Sequence, residues 1–108
     1  MHWDVYEVSL DIIRGLRPIV ERLARKDPAL AKQIRDAANS IPLNLREGRR
    51  RLGKDRMHHW RIGAGSADEV RAALDAACAW GDVDDASAGA VLQLLDRELA
   101  MLHKMTHA

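Results

Sequence analysis

The residues best suited to binding chemistry lie in one window, residues 46–61. This window holds seven of the 17 lysines and arginines in the chain and only two acids, so it carries a charge of +5 in a protein of net charge +1. Guanidinium groups match the geometry of phosphate oxygens, and nearby rings can stack on bases. The window therefore predicts binding to RNA or DNA, or to an acidic or nucleic-acid-handling protein. The predicted binding residues are Arg46, Arg49, Arg50, Arg51, Lys54, Arg56 and Arg61, with His58, His59 and Trp60 available for hydrogen bonding or stacking.

An alternative interpretation assigns the same arginines to folding and assembly. Arg49, Arg50 and Arg51 follow the predicted end of a helix, whose C-terminal carbonyls attract positive charge. The arginines would then lie in a solvated turn, or pair with acids on a neighbouring subunit. This interpretation predicts a structural or adaptor oligomer that does not bind nucleic acid.

Polar residues upstream of the window form a stripe beside the apolar stripe of the same predicted helix. They are expected to make a hydrogen-bonded seam between helices or between subunits, or else a hydrated helix face. Glu47 is expected to pair with Arg61 or a nearby arginine. No second acid or nucleophile has a defined spacing to Glu47, so no catalytic residue is predicted and we do not expect an enzyme. The stripe consists of Gln33, Ser40, Asn44 and Glu47.

The remaining candidates for chemistry are two histidines and one cysteine. His103 and His107 are four residues apart, a spacing that can chelate a metal, but the sequence fixes no third ligand, so no metal or cofactor is predicted. Cys78 shares an apolar helix face and is expected to be a small core residue. A single cysteine precludes an internal disulfide and indicates a reducing compartment. No apolar run is long enough to span a bilayer and the N-terminus lacks the layout of a signal peptide, so we expect a cytoplasmic protein without a membrane partner.

Helical periodicity of apolar residues organises the whole chain into one all-α domain, residues 1–108. Pro18 and Pro42 lie inside the first two helices and are expected to kink them. Asp4, Asp27 and either Asp84 or Asp85 stand where helices are expected to begin, and Gly48 is a candidate C-cap. The predicted fold is an up-down-up-down four-helix bundle, with helices at about 4–26, 28–48, 54–80 and 85–106.

The third helix has two possible starts. Apolar residues keep a helical phase from about residue 54 to 80, although Gly63 and Gly65 each cost about 1 kcal/mol relative to alanine. The sequence Ser66-Ala67-Asp68-Glu69 is also a legitimate capping box, so a helix can begin there instead. Phase continuity favours the long helix, in which the glycines would mark close contact with a neighbouring helix.

The predicted topology separates charge along the bundle. In an up-down-up-down bundle, the chain termini lie at the same end as the connection between the second and third helices. Residues 46–61 and all five histidines are therefore expected together at that end. Asp27, Asp82, Asp84 and Asp85 fall at the other end, opposed there by Lys26. The sequence therefore predicts a bundle with one basic and one acidic end.

The segment from about residue 27 to 81 holds a specific combination of residues: Gln33, Ile34, Ser40, Ile41, Pro42, Asn44, Glu47, Gly48, the arginines that follow, Ala64, Gly65, Ser66, Glu69 and Val70. In these residues the segment resembles the bacterial four-helix-bundle proteins associated with ribosomal RNA intervening sequences. The resemblance implies a bundle that assembles as a ring, commonly a pentamer. It also relates the chain to the accessory variability protein of diversity-generating retroelements, which implies a reverse transcriptase as a further partner. Off-stripe apolar residues at positions 43, 80, 94 and 101 agree with subunit association.

Overall fold

The computed structural model describes residues 2–107, and these form four antiparallel helices. Each helix packs against its neighbours in the chain, and the first packs against the last, which closes a bundle of 42 × 24 × 22 Å. The predicted all-α class and up-down-up-down arrangement are confirmed. Residues 1 and 108 of the predicted domain lie outside the described part. The helices are α1 (Asp4–Leu23), α2 (Pro28–Arg49), α3 (Gly53–Ala79) and α4 (Asp85–Thr106).

The core is built from the apolar stripes that the periodicity predicted. Ile12, Ile34, Leu45, Leu74 and Leu95 are among the side chains with no exposed surface, and all four helices contribute to a single cluster. The interface between α2 and α3 is the most extensive of the four. Among the described residues, no helix is long and apolar enough to cross a membrane.

The helix starts follow capping chemistry at two of the expected positions. The carboxylate of Asp27 accepts a hydrogen bond from the Leu30 N–H at 3.0 Å, and that of Asp84 accepts one from the Ser87 N–H at 2.6 Å. Asp4 does not cap α1: it is the first helical residue, and Trp3 precedes it without a side-chain cap.

α1 ends three residues earlier than predicted. The N–H groups of Lys26 and Asp27 both bond to the carbonyl of Leu23, at 2.9 and 2.7 Å, and this closes a turn before α2 begins. Both helices that contain an interior proline continue through it. Pro18 is exposed on α1, whereas Pro42 is buried on α2.

Gly48 is not the C-cap that the sequence predicted. It is helical, and the left-handed backbone typical of a C-cap glycine occurs, among residues 2–107, only at Gly53 and Gly81. Gly48 is instead required by space, because a Cβ on it would lie 2.4 Å from Cδ1 of Trp60.

The third helix is continuous through its glycines, so the start at Ser66 is wrong. Gly63 is buried at the interface with α2, where a Cβ would lie 3.8 Å from the Cβ of Asn44. Gly65 was also expected to mark a close contact, but it faces open space. Only the first of the two glycines therefore lies against a neighbouring helix.

One carboxyl group lies inside the core. Glu98 on α4 has no exposed surface, and neither of its side-chain oxygens has a hydrogen-bond partner in residues 2–107. Burial raises the pKa of Glu98 to about 8, opposed only weakly by the nearby positive charge of Arg97. The carboxyl group is therefore held in its protonated form at neutral pH.

The end of the bundle distant from the termini is less acidic than predicted. Asp82 and Asp84 line a pocket of about 340 Å³ there together with Arg22, Arg25 and Lys26. Only Lys26 was expected to oppose the aspartates at this end. Arg22 in the last turn of α1 and Arg25 in the turn that follows also lie beside the aspartates, so the charge at this end is mixed.

Candidate nucleic-acid interface

Residues 46–61 and the two ends of the described chain meet at one end of the bundle, which we call the basic pole. The guanidinium of Arg49 lies 4.9 Å from the centroid of the Trp3 ring, near the start of α1. Arg61 donates a hydrogen bond to the carbonyl of Thr106, at the end of α4, over 3.5 Å. Helix ends far apart in sequence thus surround the turn between α2 and α3, as the antiparallel topology requires.

Three half-buried aromatic rings lie beneath the arginines of the basic pole. Trp3 and Tyr6 are stacked, with centroids 6.2 Å apart, and Trp60 lies 6.3 Å from Trp3 in a tilted arrangement. The rings join the start of α1 to the first half of α3, and all three pack against the core. We call Trp3, Tyr6 and Trp60 the aromatic cluster.

Each ring of the aromatic cluster carries one arginine over its face. Such pairs are worth about 0.5–1 kcal/mol at exposed sites, because the ring face is electron-rich. A guanidinium held by its face keeps N–H donors available at its edge, where phosphate oxygens bind. The pairs are Arg46 with Tyr6 at 5.4 Å, Arg49 with Trp3 at 4.9 Å and Arg56 with Trp60 at 5.4 Å, measured to the ring centroids.

Arg56 and Trp60 also complete the end of α2. Arg56 donates from Nε to the Gly48 carbonyl at 3.2 Å and from Nη2 to the Arg49 carbonyl at 3.1 Å, and the Trp60 indole donates to the Leu45 carbonyl at 3.3 Å. The Arg49 carbonyl is the last of α2 and has no partner within the helix, so the bond from Arg56 satisfies a group that would otherwise need water. The Gly48 carbonyl also accepts from the Arg51 N–H at 3.1 Å. Arg56 therefore stabilises the end of α2 and also contributes positive charge to the basic pole.

Six of the seven predicted binding cations are exposed, and Arg56 is half-buried. Arg50 and Lys54 are exposed, and within residues 2–107 their side chains form no ion pair or hydrogen bond. Arg51 instead makes two hydrogen bonds to Glu47, at 3.0 and 2.7 Å. The bonded guanidinium holds the pKa of Glu47 below its ordinary value, so this carboxylate is ionised at neutral pH. Glu47 thus pairs with Arg51 and not with Arg61.

Part of the predicted polar stripe lies between α2 and α3. The amide nitrogen of Asn44 donates to the Ser40 hydroxyl at 3.0 Å, the Ser66 hydroxyl donates to Ser40 at 2.7 Å, and the Asn44 amide oxygen lies 3.1 Å from Nδ1 of His59. These four side chains form a hydrogen-bonded seam within one chain. Gln33 is exposed and takes no part in it.

The remaining candidates bring no further ligand set together. The rings of His103 and His107 are stacked with centroids 4.1 Å apart, and over residues 2–107 no three histidine, cysteine or acidic side chains are grouped so that they could hold a metal. Cys78 is half-buried against the core, and desolvation raises the pKa of its thiol. The thiol is therefore protonated at neutral pH.

Several large apolar side chains are exposed. Leu43 and Trp80 are 68% and 77% exposed, as their off-stripe positions suggested, whereas Leu94 and Met101 pack partly against the core. Leu52, which the sequence analysis did not single out, is 80% exposed in the turn between α2 and α3.

The sequence analysis also missed Trp3 and Tyr6 as members of the basic pole. A signal was present, because the two aromatic residues are three apart and so share a helix face at a chain end predicted to lie at the pole. The pairing with particular arginines depends on how α1 and α2 are rotated about their axes, which periodicity alone does not fix.

Comparisons with known proteins find a matching sequence family and a similar solved structure. The sequence matches the family described as 23S rRNA-intervening sequence protein over residues 2–104. The structure is similar to a crystal structure from Bacteroides thetaiotaomicron described as a protein with unknown function from the S23 ribosomal protein family. The TM-score is 0.87 at 18% sequence identity, covering 96% of this chain and 99% of that chain. No curated protein matches the sequence.

Proposed function

The chain belongs to the 23S rRNA-intervening sequence protein family, and on that premise we propose that its basic pole binds RNA without catalysing a reaction. The observation that carries the proposal is the set of three arginines lying over the aromatic cluster. A preorganised guanidinium loses little freedom when it binds a phosphate, so more of the contact energy contributes to affinity. The family description associates these proteins with ribosomal RNA, which favours RNA over DNA as the ligand.

The exposed cations extend this surface beyond the aromatic cluster. Arg50 lies in the turn between α2 and α3 and Lys54 near the start of α3, and within residues 2–107 neither side chain forms an ion pair or hydrogen bond. Each phosphate neutralised by a cation releases counterions, so binding to single-stranded RNA should weaken with a slope of about −0.7 in log K against log salt per contact. The proposed interface consists of Arg46, Arg49, Arg50, Lys54 and Arg61, with Arg51 and Arg56 contributing charge while they serve the fold.

The test is RNA binding measured over a series of salt concentrations. The double variant Arg50→Ala with Lys54→Ala should weaken binding and reduce the salt slope by about one to two units, because it removes two contacts. The matched control is Arg25→Ala with Lys26→Ala, which makes the same change in net charge at the opposite end and should bind as the wild type does. Equal loss in both double variants would mean that only net charge matters, and the proposal would be wrong.

A second proposal concerns self-association, and it rests on a different observation. Leu43 on α2 and Trp80 at the end of α3 expose most of their surface to solvent within a single chain. We propose that copies of this chain bury them against one another in a ring, five being the number implied by the family resemblance. Light scattering after size exclusion should give a mass several times that of one chain, and Leu43→Ser with Trp80→Ser should shift it towards the monomer. A monomeric wild type would overturn this proposal.

A further inference from the structure

The turn between α2 and α3 presents an apolar side chain in the middle of its positive charge. Leu52 is 80% exposed, more than any other large apolar side chain in residues 2–107. Three arginines precede it directly and Lys54 follows two positions later. An exposed leucine forgoes the free energy of burial, and a solvated basic turn does not require one.

The turn holds Leu52 in a defined position. Only residues 50–52 separate the two helices. Arg56 bonds to the carbonyls of Gly48 and Arg49 across the turn, and Gly53 adopts a left-handed backbone with φ of +55° directly after the leucine. A side chain held in this way has less freedom to lose when it enters a partner.

We infer that Leu52 is a wedge that enters the base stack of bound RNA at an unpaired nucleotide. The inference rests on the proposed function, because it assigns the exposed leucine a role in the same complex. Apolar side chains insert between bases where stacking is already weak. Bulges and loops of RNA provide such places, whereas a regular RNA duplex does not. The ligand class is therefore RNA with unpaired nucleotides inside a paired stem.

The charge around Leu52 favours this ligand over a membrane. Arg50 and Lys54 are exposed on the two sides of the leucine along the chain, which suits phosphates on the two sides of an opened base step. One leucine buries too little apolar surface to hold a protein of this size on a lipid bilayer, where stable anchoring needs a second signal. A membrane role is accordingly an outcome of the test and not the proposal.

The experiment uses two RNA hairpins that differ by a single-nucleotide bulge, with 2-aminopurine beside the bulge position. Wild-type protein should bind the bulged hairpin more tightly and increase the 2-aminopurine fluorescence, because the leucine unstacks the base. Leu52→Ala should lose about tenfold in affinity for the bulged hairpin and should abolish the fluorescence increase. Its salt slope should stay unchanged, since no cation is removed.

The matched control is Gln93→Ala, which truncates an exposed side chain on α4, outside the turn and outside both proposed interfaces, and should behave as the wild type does. Leu52→Met keeps a similar apolar volume and should restore the fluorescence increase. Circular dichroism and chemical denaturation establish that each variant is folded, and because position 52 is exposed its variants should retain wild-type stability.

The outcomes separate the wedge from the proposed function. If Leu52→Ala binds the bulged hairpin and increases its fluorescence as the wild type does, the wedge is wrong while RNA binding stands. If the wild type binds neither hairpin at low salt, RNA binding is wrong and the wedge with it. If Leu52→Ala loses binding to phosphatidylglycerol vesicles and keeps binding to both hairpins, the leucine serves a membrane and the wedge is again overturned.

Discussion

The indole ring of Trp60 occupies the space that a side chain at position 48 would fill. A Cβ on Gly48 would lie 2.4 Å from Cδ1 and 2.5 Å from Nε1 of the ring. The same ring donates to the Leu45 carbonyl and lies under the guanidinium of Arg56. A single glycine therefore allows α2 and α3 to approach closely at the basic pole.

Gly48→Ala should destabilise the bundle by about 1–3 kcal/mol. Alanine is the better helix former, but the added methyl group overlaps the indole ring and forces Trp60 or the backbone to move. Chemical denaturation measures the change. The matched control is Gly89→Ala on α4, where nothing lies within 4 Å of the added methyl group, and it should leave stability unchanged or raise it by up to about 1 kcal/mol. Equal effects at both positions would show that the contact with the indole is unimportant.

Gly53→Ala should cost about 1 kcal/mol for a different reason. No atom lies within 4 Å of the added methyl group, but φ is +55°, a backbone conformation that residues other than glycine rarely adopt. Gly53→Asn should cost less, because asparagine tolerates this conformation better than alanine does. Thermal denaturation of the two variants should rank asparagine above alanine, and the reverse order would contradict the conformational explanation.

Glu98 should make the stability of the protein fall as the pH rises. The pKa is about 8 in the folded state and the ordinary value is 4.5, so the folded state binds more protons between these two pH values. Below pH 4.5 the carboxyl group is protonated in both the folded and the unfolded state, so it adds no pH dependence to the free energy of unfolding. Stability is lost progressively from there up to about pH 8, by about 1.4 kcal/mol for each pH unit.

Glu98→Gln tests this dependence, because it keeps the shape and removes the titration. Denaturation curves measured from pH 5 to pH 8 should show that the wild type loses stability relative to the variant. Glu21→Gln is the control, since Glu21 is exposed and should leave the pH dependence as it is. Parallel curves for wild type and Glu98→Gln would mean that the buried carboxyl has found a partner in solution.

Trp3→Ala should weaken RNA binding without removing a charge. Arg49 would lose the ring beneath it and become less ordered, so we expect a severalfold loss of affinity at unchanged salt slope. Filter binding or fluorescence anisotropy measures both quantities. Gln93→Ala truncates an exposed side chain on α4 that belongs to neither proposed interface, and it should leave RNA affinity unaltered. A Trp3→Ala variant that binds normally would show that the aromatic cluster serves only the fold.

The fold could be predicted from sequence because its apolar stripes keep one phase along each helix. Three of the four helices have bounds within one residue of the prediction, and α1 differs because a backbone turn closes at Leu23. The position of the basic pole could be predicted from the up-down-up-down topology alone. The pairs of Arg46 with Tyr6 and Arg49 with Trp3, and the contact of Gly48 with Trp60, could not be predicted, because they depend on the rotation and spacing of helices that periodicity leaves free. Arg56 and Trp60 are four residues apart on α3, so that pair could be predicted from spacing alone.

The burial of Glu98 was not predicted from the sequence. It stands three residues after Leu95 and four before Leu102, both of which are fully buried, so its place on the apolar face was visible. Its residue type predicts the opposite, because glutamates are seldom fully buried without a partner. For Glu98, its position in the apolar pattern predicts burial better than its residue type does.

The two ends of the described chain lie beside the same arginines, and this decides where a reporter belongs. A cleavage reagent or fluorophore attached at His2 or His107 would be delivered to whatever the basic pole holds, because Trp3 lies under Arg49 and Thr106 lies within reach of Arg61. The same group attached at the turn between α3 and α4 would stand at the far end of a molecule 42 Å long. The chain ends and the turn between α3 and α4 thus provide one attachment point near the basic pole and one far from it, and the two together can map how a bound partner lies along the bundle.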